Sequence, residues 1–386
     1  MPKATERLLA IDWLRGLVMV LMALDHVDHA INRNHAHGDS AAFGDQGPLS
    51  VPDFLVRWLT HLCAPTFVLL AGTSVVLSAA HARARGAAPA SVDRHLLLRG
   101  AILVALELTL VSAYWRVAEG LPRDTLLPVF PQVLWAIGAG LVLMPLVRHL
   151  DSRWLIGLAV LLLVVTELVR SATLDAAFDQ PLGTALLLTG GPWWIGERTD
   201  MPDVIVLYPL LAWLPAMLLG LVLGRRLVAG RLHARTLAVA GLAMLLLFLV
   251  VRGIDGFGNM GLHRRDASLV QWLHCSKYPP SISYFALELG LSLLVLALFR
   301  RCDRGGARAP GKNPVALLGR VPLFFYLLHL PMIGLLIALG VLPAHGAGSW
   351  SSSPFATLVV VLACWPLCAG YDWYRRRFRH GWTRFL

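Results

Sequence analysis

Two carboxylates and two imidazoles lie within five residues of one another in Asp25-His26-Val27-Asp28-His29. An imidazole takes up and returns protons near neutral pH, and a neighbouring carboxylate can orient and tune it. The same apolar stretch carries Asp12 and Arg15 further back. Ionisable groups inside a membrane are costly, and there they mark function by default. Ten residues separate Arg15 from His26. At 100° and 1.5 Å per residue, eleven steps return to within about 20° of the same helix face, roughly 16 Å further along. One helix thus offers a guanidinium toward one membrane surface and an imidazole toward the other. By the same arithmetic Asp12, Met19, Met22 and His29 lie within about 60° of Arg15, and Asp25 about 80° away.

Other segments carry related groups. Arg57 and His61 are one turn apart in Arg57-Trp58-Leu59-Thr60-His61, and they fall at the depth of the Asp25–His29 cluster. Pro65 follows and is expected to kink its helix. His329 sits in an apolar run with Tyr326 three residues earlier and Arg320 nearer the cytoplasmic end. The Asp25–His29 cluster can supply a base and groups that orient it, and His26, Asp25, Asp28 and His61 are the candidate catalytic residues. His29, Arg57 and His329 are candidate substrate contacts. A structural reading stands beside this one: Asp12 and Arg15 can simply pair at i,i+3, and Glu107 and Glu288 can be buried, hydrogen-bonded acids. Zinc is the sharper alternative, since His and Asp one turn apart can hold it and His35 and His37 add ligands. The cluster has no known zinc spacing, and no metal is expected.

The elements that position these groups follow from composition. Of 386 residues, 57% are hydrophobic and 15% charged. A soluble chain carries about 25% charged residues. Long uncharged runs predict an all-α, polytopic helix bundle forming a single domain over 1–386. About ten spans are expected, at 8–30, 54–80, 96–115, 128–147, 154–170, 204–224, 236–252, 280–299, 314–340 and 355–374. With both termini cytoplasmic, 22 of the 34 Lys and Arg fall in inner segments and 9 in outer ones. That asymmetry is the positive-inside pattern. It also accounts for the net charge of +11 through basic inner loops and the Arg375-Arg376-Arg377-Phe378-Arg379 tail facing membrane lipid, and nucleic acid is not expected as a partner. The five cysteines are scattered and form no disulfide or zinc framework. The first segment lacks a small-residue cleavage site and is expected to be retained. Outer loops are longer than inner ones, as suits an acceptor received from outside.

Several stretches carry a family resemblance. Ala10-Ile11-Asp12-Trp13-Leu14-Arg15-Gly16-Leu17 followed by Asp25-His26 is similar to the first helix of integral-membrane acyltransferases. Arg57-Trp58-Leu59-Thr60-His61-Leu62-Cys63-Ala64-Pro65, Val133-Leu134-Trp135, Tyr208-Pro209-Leu210, Lys277-Tyr278-Pro279-Pro280-Ser281 and Phe325-Tyr326-Leu327-Leu328-His329 resemble the heparan-α-glucosaminide N-acetyltransferase catalytic-domain family, in its short bacterial branch. The Arg15 to His26 spacing is similar to that of the wider group acting on surface glycans.

The resemblance implies an acyl-CoA-dependent transmembrane acyltransferase of a bacterial cytoplasmic membrane. Acetyl-CoA, or another acyl-CoA, is the implied co-substrate, and a sugar or glycolipid at the outer side the implied acceptor. Arg15 and Arg320 would meet the CoA phosphates, Lys277 and Tyr278 would contact substrate, and His26 would be base or acyl carrier. The family's lysosomal branch has Asn where this chain has His26, and its reactive His lies in the loop after helix 1, where His35 and His37 stand here. Heparan is therefore not carried over as acceptor. A proton-coupled transporter and a non-catalytic membrane protein with the same fold remain alternatives, and the oligomeric state, a homodimer included, is open.

Overall fold

The computed structural model describes residues 9–35, 39–41, 50–121, 127–174, 179–197, 201–303 and 313–378. His37 and Arg379 lie outside them. The chain folds into two compact units. The first comprises Met1–Glu6, Gly38–Asp45 and Ala64–Gly290; the second comprises Arg7–His37, Gln46–Cys63 and Leu291–Leu386.

Helices dominate. In order they are α1 (Leu9–Ile31), α2 (Val51–Thr60), α3 (Cys63–Ala84), α4 (Pro89–Leu106) running through a π-helical turn into α5 (Ser112–Ala118), α6 (Val133–Val147), α7 (Ser152–Ala172), the short α8 (Leu182–Thr184), α9 (Leu210–Val228), α10 (Ala234–Ile254), α11 (Leu269–Leu273), α12 (Ile282–Asp303), α13 (Pro314–Arg320), α14 (Pro322–Ala338) and α15 (Ser353–Arg377). A two-stranded antiparallel ribbon pairs β1 (Gly191–Trp193) with β2 (Val204–Val206).

Each of the ten expected segments overlaps a helix, though 204–224 begins on strand β2 and 128–147 begins ahead of α6, and not each meets the requirement for a span. Among the described residues seven helical stretches are long and apolar enough, and α13 with α14, bent by 102°, makes an eighth if the pair is one span. The 23 residues of α1 suffice in length, but Asp12, Arg15, Asp25 and Asp28 interrupt its apolar character. The 15 residues of α6 are fewer than the roughly 20 that cross the hydrocarbon core.

Close backbone contact organises the first unit. A Cβ on Gly72 of α3 would lie 2.0 Å from the Met217 carbonyl oxygen of α9, and one on Gly220 would lie 2.1 Å from that of Leu69. Small residues at such crossings let helices pack by van der Waals contact where lipid supplies no hydrophobic drive. Glu107, fully buried at the π-turn, accepts from the Leu134 and Trp135 backbone N–H groups at 2.6 and 3.1 Å. It thereby satisfies orphan donors in the first turn of α6, and its structural reading stands. Glu288 is buried on α12. Arg252 at the end of α10 is fully buried. It donates to the carbonyls of Trp272, Leu262, Gln271 and His274 and to Asn259 Oδ1, tying down the loop that follows.

In the second unit α1 packs against α2, α13, α14 and α15. A Cβ on Gly16 would lie 1.8 Å from the Val315 carbonyl oxygen, and one on Gly319 would lie 1.9 Å from that of Asp12. The chain leaves this unit after Cys63, just past a break in helix at His61 and Leu62. Pro65 accounts for the break: its ring excludes the carbonyl four residues earlier, that of His61, from a helical bond. The interruption therefore falls one turn before the proline.

Candidate functional site

The outer half of α1 and its partners within the second unit form the candidate site. His26 Nδ1 lies 2.7 Å from His329 Nε2. The ring centroids are 5.0 Å apart and the planes differ by 13°. With the nitrogens so close, those values describe rings meeting edge to edge in nearly one plane, as an N–H···N bond requires. The other nitrogen of His329, Nδ1, lies 3.0 Å from the Phe325 carbonyl oxygen. A carbonyl only accepts, so His329 carries its hydrogen on Nδ1 and its lone pair on Nε2. His26 is then the donor through Nδ1–H, and its own lone pair rests on Nε2. This tautomer is assigned from the bonding pattern. His329 is fully buried, its ring near-parallel to that of Phe325 at 5.3 Å and flanked by Tyr326 at 5.9 Å.

Asp28 is the centre of a second network. Its Oδ2 lies 2.7 Å from His35 Nδ1. Its Oδ1 accepts from Asn32 Nδ2 at 3.1 Å and from Ser353 Oγ, at the start of α15, at 2.6 Å. Asn32 Nδ2 also donates to Asp53 Oδ1 at 2.8 Å. Asp28 is fully buried, and His35 is 8% exposed. Burial pushes the His35 imidazole below the ordinary histidine value, while the bond to Asp28 works the other way. His29 meets the His35 ring edge-on at 5.2 Å.

Asp25 faces α2. Its Oδ1 accepts from Arg57 Nη1 at 2.6 Å and from Thr60 Oγ1 at 2.7 Å. Arg57, expected as a substrate contact, is thus engaged by a carboxylate of α1. His61 is fully buried at the break between α2 and α3.

The other end of α1 holds guanidinium–carboxylate pairs. Arg15 Nη1 lies 4.0 Å from Asp12 Oδ1, with the Arg15 side chain 21% exposed. Arg320 donates through Nε to Asp372 Oδ2 at 3.0 Å, and its side chain is 3% exposed. Asp372 also receives Arg376 at 2.7 Å. Arg320 is therefore already engaged by a carboxylate.

Lys277 and Tyr278 belong to the first unit. Both backbone N–H groups donate to the Asp39 carbonyl, at 2.8 and 3.2 Å. The Lys277 ammonium stands 5.1 Å from the Tyr278 ring centroid, and Tyr278 meets Tyr208 edge-on at 5.7 Å. Tyr208 in turn stacks on Trp213. A buried cation on an aromatic wall results.

Sequence reasoning passed over Thr60, Asn32, Asp53, Ser353 and Asp372. Asp53 and Ser353 each stand in the first turn of a helix, where such residues read as ordinary helix-start residues. Among the described residues no three His, Cys, Asp or Glu side chains are grouped as a metal would need.

The chain matches the family described as heparan-alpha-glucosaminide N-acetyltransferase, catalytic, over residues 7–254. It belongs to that family. The match takes in Arg15, Asp25, His26, Asp28, His29, Arg57 and His61, while Lys277, Tyr278, Arg320 and His329 lie beyond it. Comparison with curated proteins gives no match.

Proposed function

From its place in an acetyltransferase family, we propose that this chain moves an acetyl group across the membrane, from cytosolic acetyl-CoA to an amine or hydroxyl of a sugar or glycolipid outside. The His26–His329 bond carries the reading. It leaves the lone pair of His26 on Nε2, where it accepts the acceptor's N–H or O–H proton as the acceptor attacks the thioester carbon. The new bond joins acceptor nitrogen or oxygen to the acetyl carbon. The C–S bond breaks, and the CoA thiolate takes up a proton as it leaves. His329 holds the ring of His26 and receives part of the positive charge that develops on it.

Arg15 is assigned to the CoA phosphates, being the more exposed of the two candidate arginines. About 16 Å along α1 separates it from His26, a distance that an extended pantetheine arm covers. The excess of basic residues in the segments that flank Arg15's end supports a cytoplasmic donor side.

One observation favours a second choice of base. His35 has the carboxylate of Asp28 at 2.7 Å on its Nδ1, the arrangement that leaves Nε2 of an imidazole basic. Transfer of radiolabelled acetyl from acetyl-CoA to amino-sugar acceptors by the purified chain in proteoliposomes tests both. Transfer lost in His26→Ala and kept in His35→Gln supports the first choice, and the reverse supports the second. No acetyl-CoA binding, with the cellular phenotype unchanged in both variants, sinks the enzyme reading. Proton-gradient-driven solute uptake would replace it with a carrier.

A further inference from the structure

A cavity of about 410 Å³ opens in the first unit between the ends of α3, α6 and α9. Its walls combine two chemistries. Arg83, Arg148, His149 and Arg225 supply cationic or titratable groups, while Val76, Leu221 and Val228 supply apolar ones. The four polar groups differ in what already holds them. Arg148 is bound by Asp93, Nε to Oδ1 at 2.6 Å and Nη2 to Oδ2 at 3.0 Å. Arg225 donates to the Arg148 carbonyl at 2.9 Å and to Ser152 Oγ at 3.3 Å. Neither contact of Arg225 is to a carboxylate, so its charge is not cancelled. Arg83 is exposed and makes no ion pair among the described residues. The cleft is thus net positive, with Arg225 fixed in direction and Arg83 able to move toward a ligand.

The surroundings indicate what that ligand is attached to. Leu146, in the last turn of α6, is 75% exposed, and Trp154, at the start of α7, is 60% exposed. Arg153 lies over the Trp154 ring at 5.6 Å. Bare apolar side chains next to an arginine–tryptophan pair mark the boundary between hydrocarbon and headgroups. A ligand lying across that boundary must offer an anion to the arginines and an alkyl chain to the exposed leucine.

We propose that this cleft binds the phosphate headgroup of an anionic phospholipid, with Arg83 and Arg225 on the phosphate and the acyl chains running along α6. Basic pockets between membrane helices bind lipid headgroups by the same combination of charge and apolar wall. The inference requires only that the chain be membrane-embedded, and it is independent of acetyl transfer.

Native mass spectrometry of the full chain in detergent, with phosphatidylglycerol or phosphatidylcholine added, tests it. Phosphatidylglycerol is expected to be retained in preference, and Arg83→Glu is expected to reduce that preference at least about fivefold, the effect of one arginine near an anionic surface. Arg83→Gln is expected to give an intermediate value. Because the Arg83 side chain makes no ion pair among the described residues, unchanged melting temperatures should accompany both variants. Equal retention of the two lipids overturns the proposal, as does a preference that Arg83→Glu leaves intact. A third arm adds adenosine 3′,5′-bisphosphate as a soluble phosphate probe. Displacement of phosphatidylglycerol by that probe at micromolar concentration would mean a site for a free phosphate ester and would also overturn it.

Discussion

The two ends of α1 hold ionisable groups of different kinds. At the Asp12 end the partners are guanidinium and carboxylate: Arg15 with Asp12, and Arg320 with Asp372 on the helices packed there. An arginine does not release its proton at any physiological pH, so this end stores charge but cannot move protons. At the His26 end the partners include imidazoles, His26 on His329 and His35 on Asp28. An unperturbed imidazole, unlike a guanidinium, can take up and release a proton within the physiological range. Asp25 with Arg57 stands among them as a fixed clamp. Under the proposed function, the contrast matches anion recognition to one end and acid–base chemistry to the other.

The largest expected effect tests the acid–base end. Removing the base in His26→Ala should lower acetyl transfer by about 10²- to 10⁴-fold, with acetyl-CoA binding retained. A full rate in a folded His26→Ala protein would move the base to His35. Next comes the ion-pair end. Arg320→Ala removes one charged hydrogen bond from Asp372, which keeps Arg376 at 2.7 Å, and should cost about 1.5–3 kcal/mol of stability. Denaturation curves read this, and the rate per folded molecule should stay near that of the parent. A fall in rate with unchanged stability would give Arg320 a part in the reaction. Arg15→Gln should then raise KM for acetyl-CoA about tenfold with kcat little changed, since a contact made equally to substrate and transition state is lost. A drop in kcat alone would dissolve the distinction between the ends.

The smallest effect is on pH. Burial holds the His35 imidazole below 6.5 in the folded chain. The unfolded chain takes up that proton first as pH falls, so this contribution to stability is complete above pH 6.5 and declines below it. The slope cannot exceed about 1.4 kcal/mol per pH unit for one group. Melting temperatures from pH 7.5 to 5 should show the decline, and His35→Gln should remove it.

Helical arithmetic on α1 found much of this. Asp12, Met19 and Met22 are buried where the stripe through Arg15 put them, and Arg15 and His26 occupy its two ends. It failed for Asp28, which points away from that stripe and is the most buried of the cluster. A helix enclosed by several neighbours has no single inner face, so facing direction alone does not say which residue finds which partner. Long-range pairs were invisible for the same reason. Ser353 reaches Asp28 across 325 residues, and nothing in Trp350-Ser351-Ser352-Ser353 distinguishes the serine that does. Asp372 fell near the end of the expected span 355–374, just ahead of three arginines, and nothing local singled it out, yet its carboxylate meets Arg320. Local chemistry was more legible: Pro65 implied an interrupted helix, and only the position of the interruption had to be learned.

The Gly16–Gly319 contact has a mechanical consequence. With backbone against backbone there, α1 has no room to slide toward α13, so any tilt of α1 would pivot about the contact. His26 lies ten residues from Gly16, a lever arm of about 15 Å. A tilt of only about 10° would swing His26 by roughly 2.6 Å, enough to open the bond to His329. The crossing acts as a fulcrum. A small rocking at the ion-pair end would then make or break one hydrogen bond at the other, coupling the two ends without any change of fold.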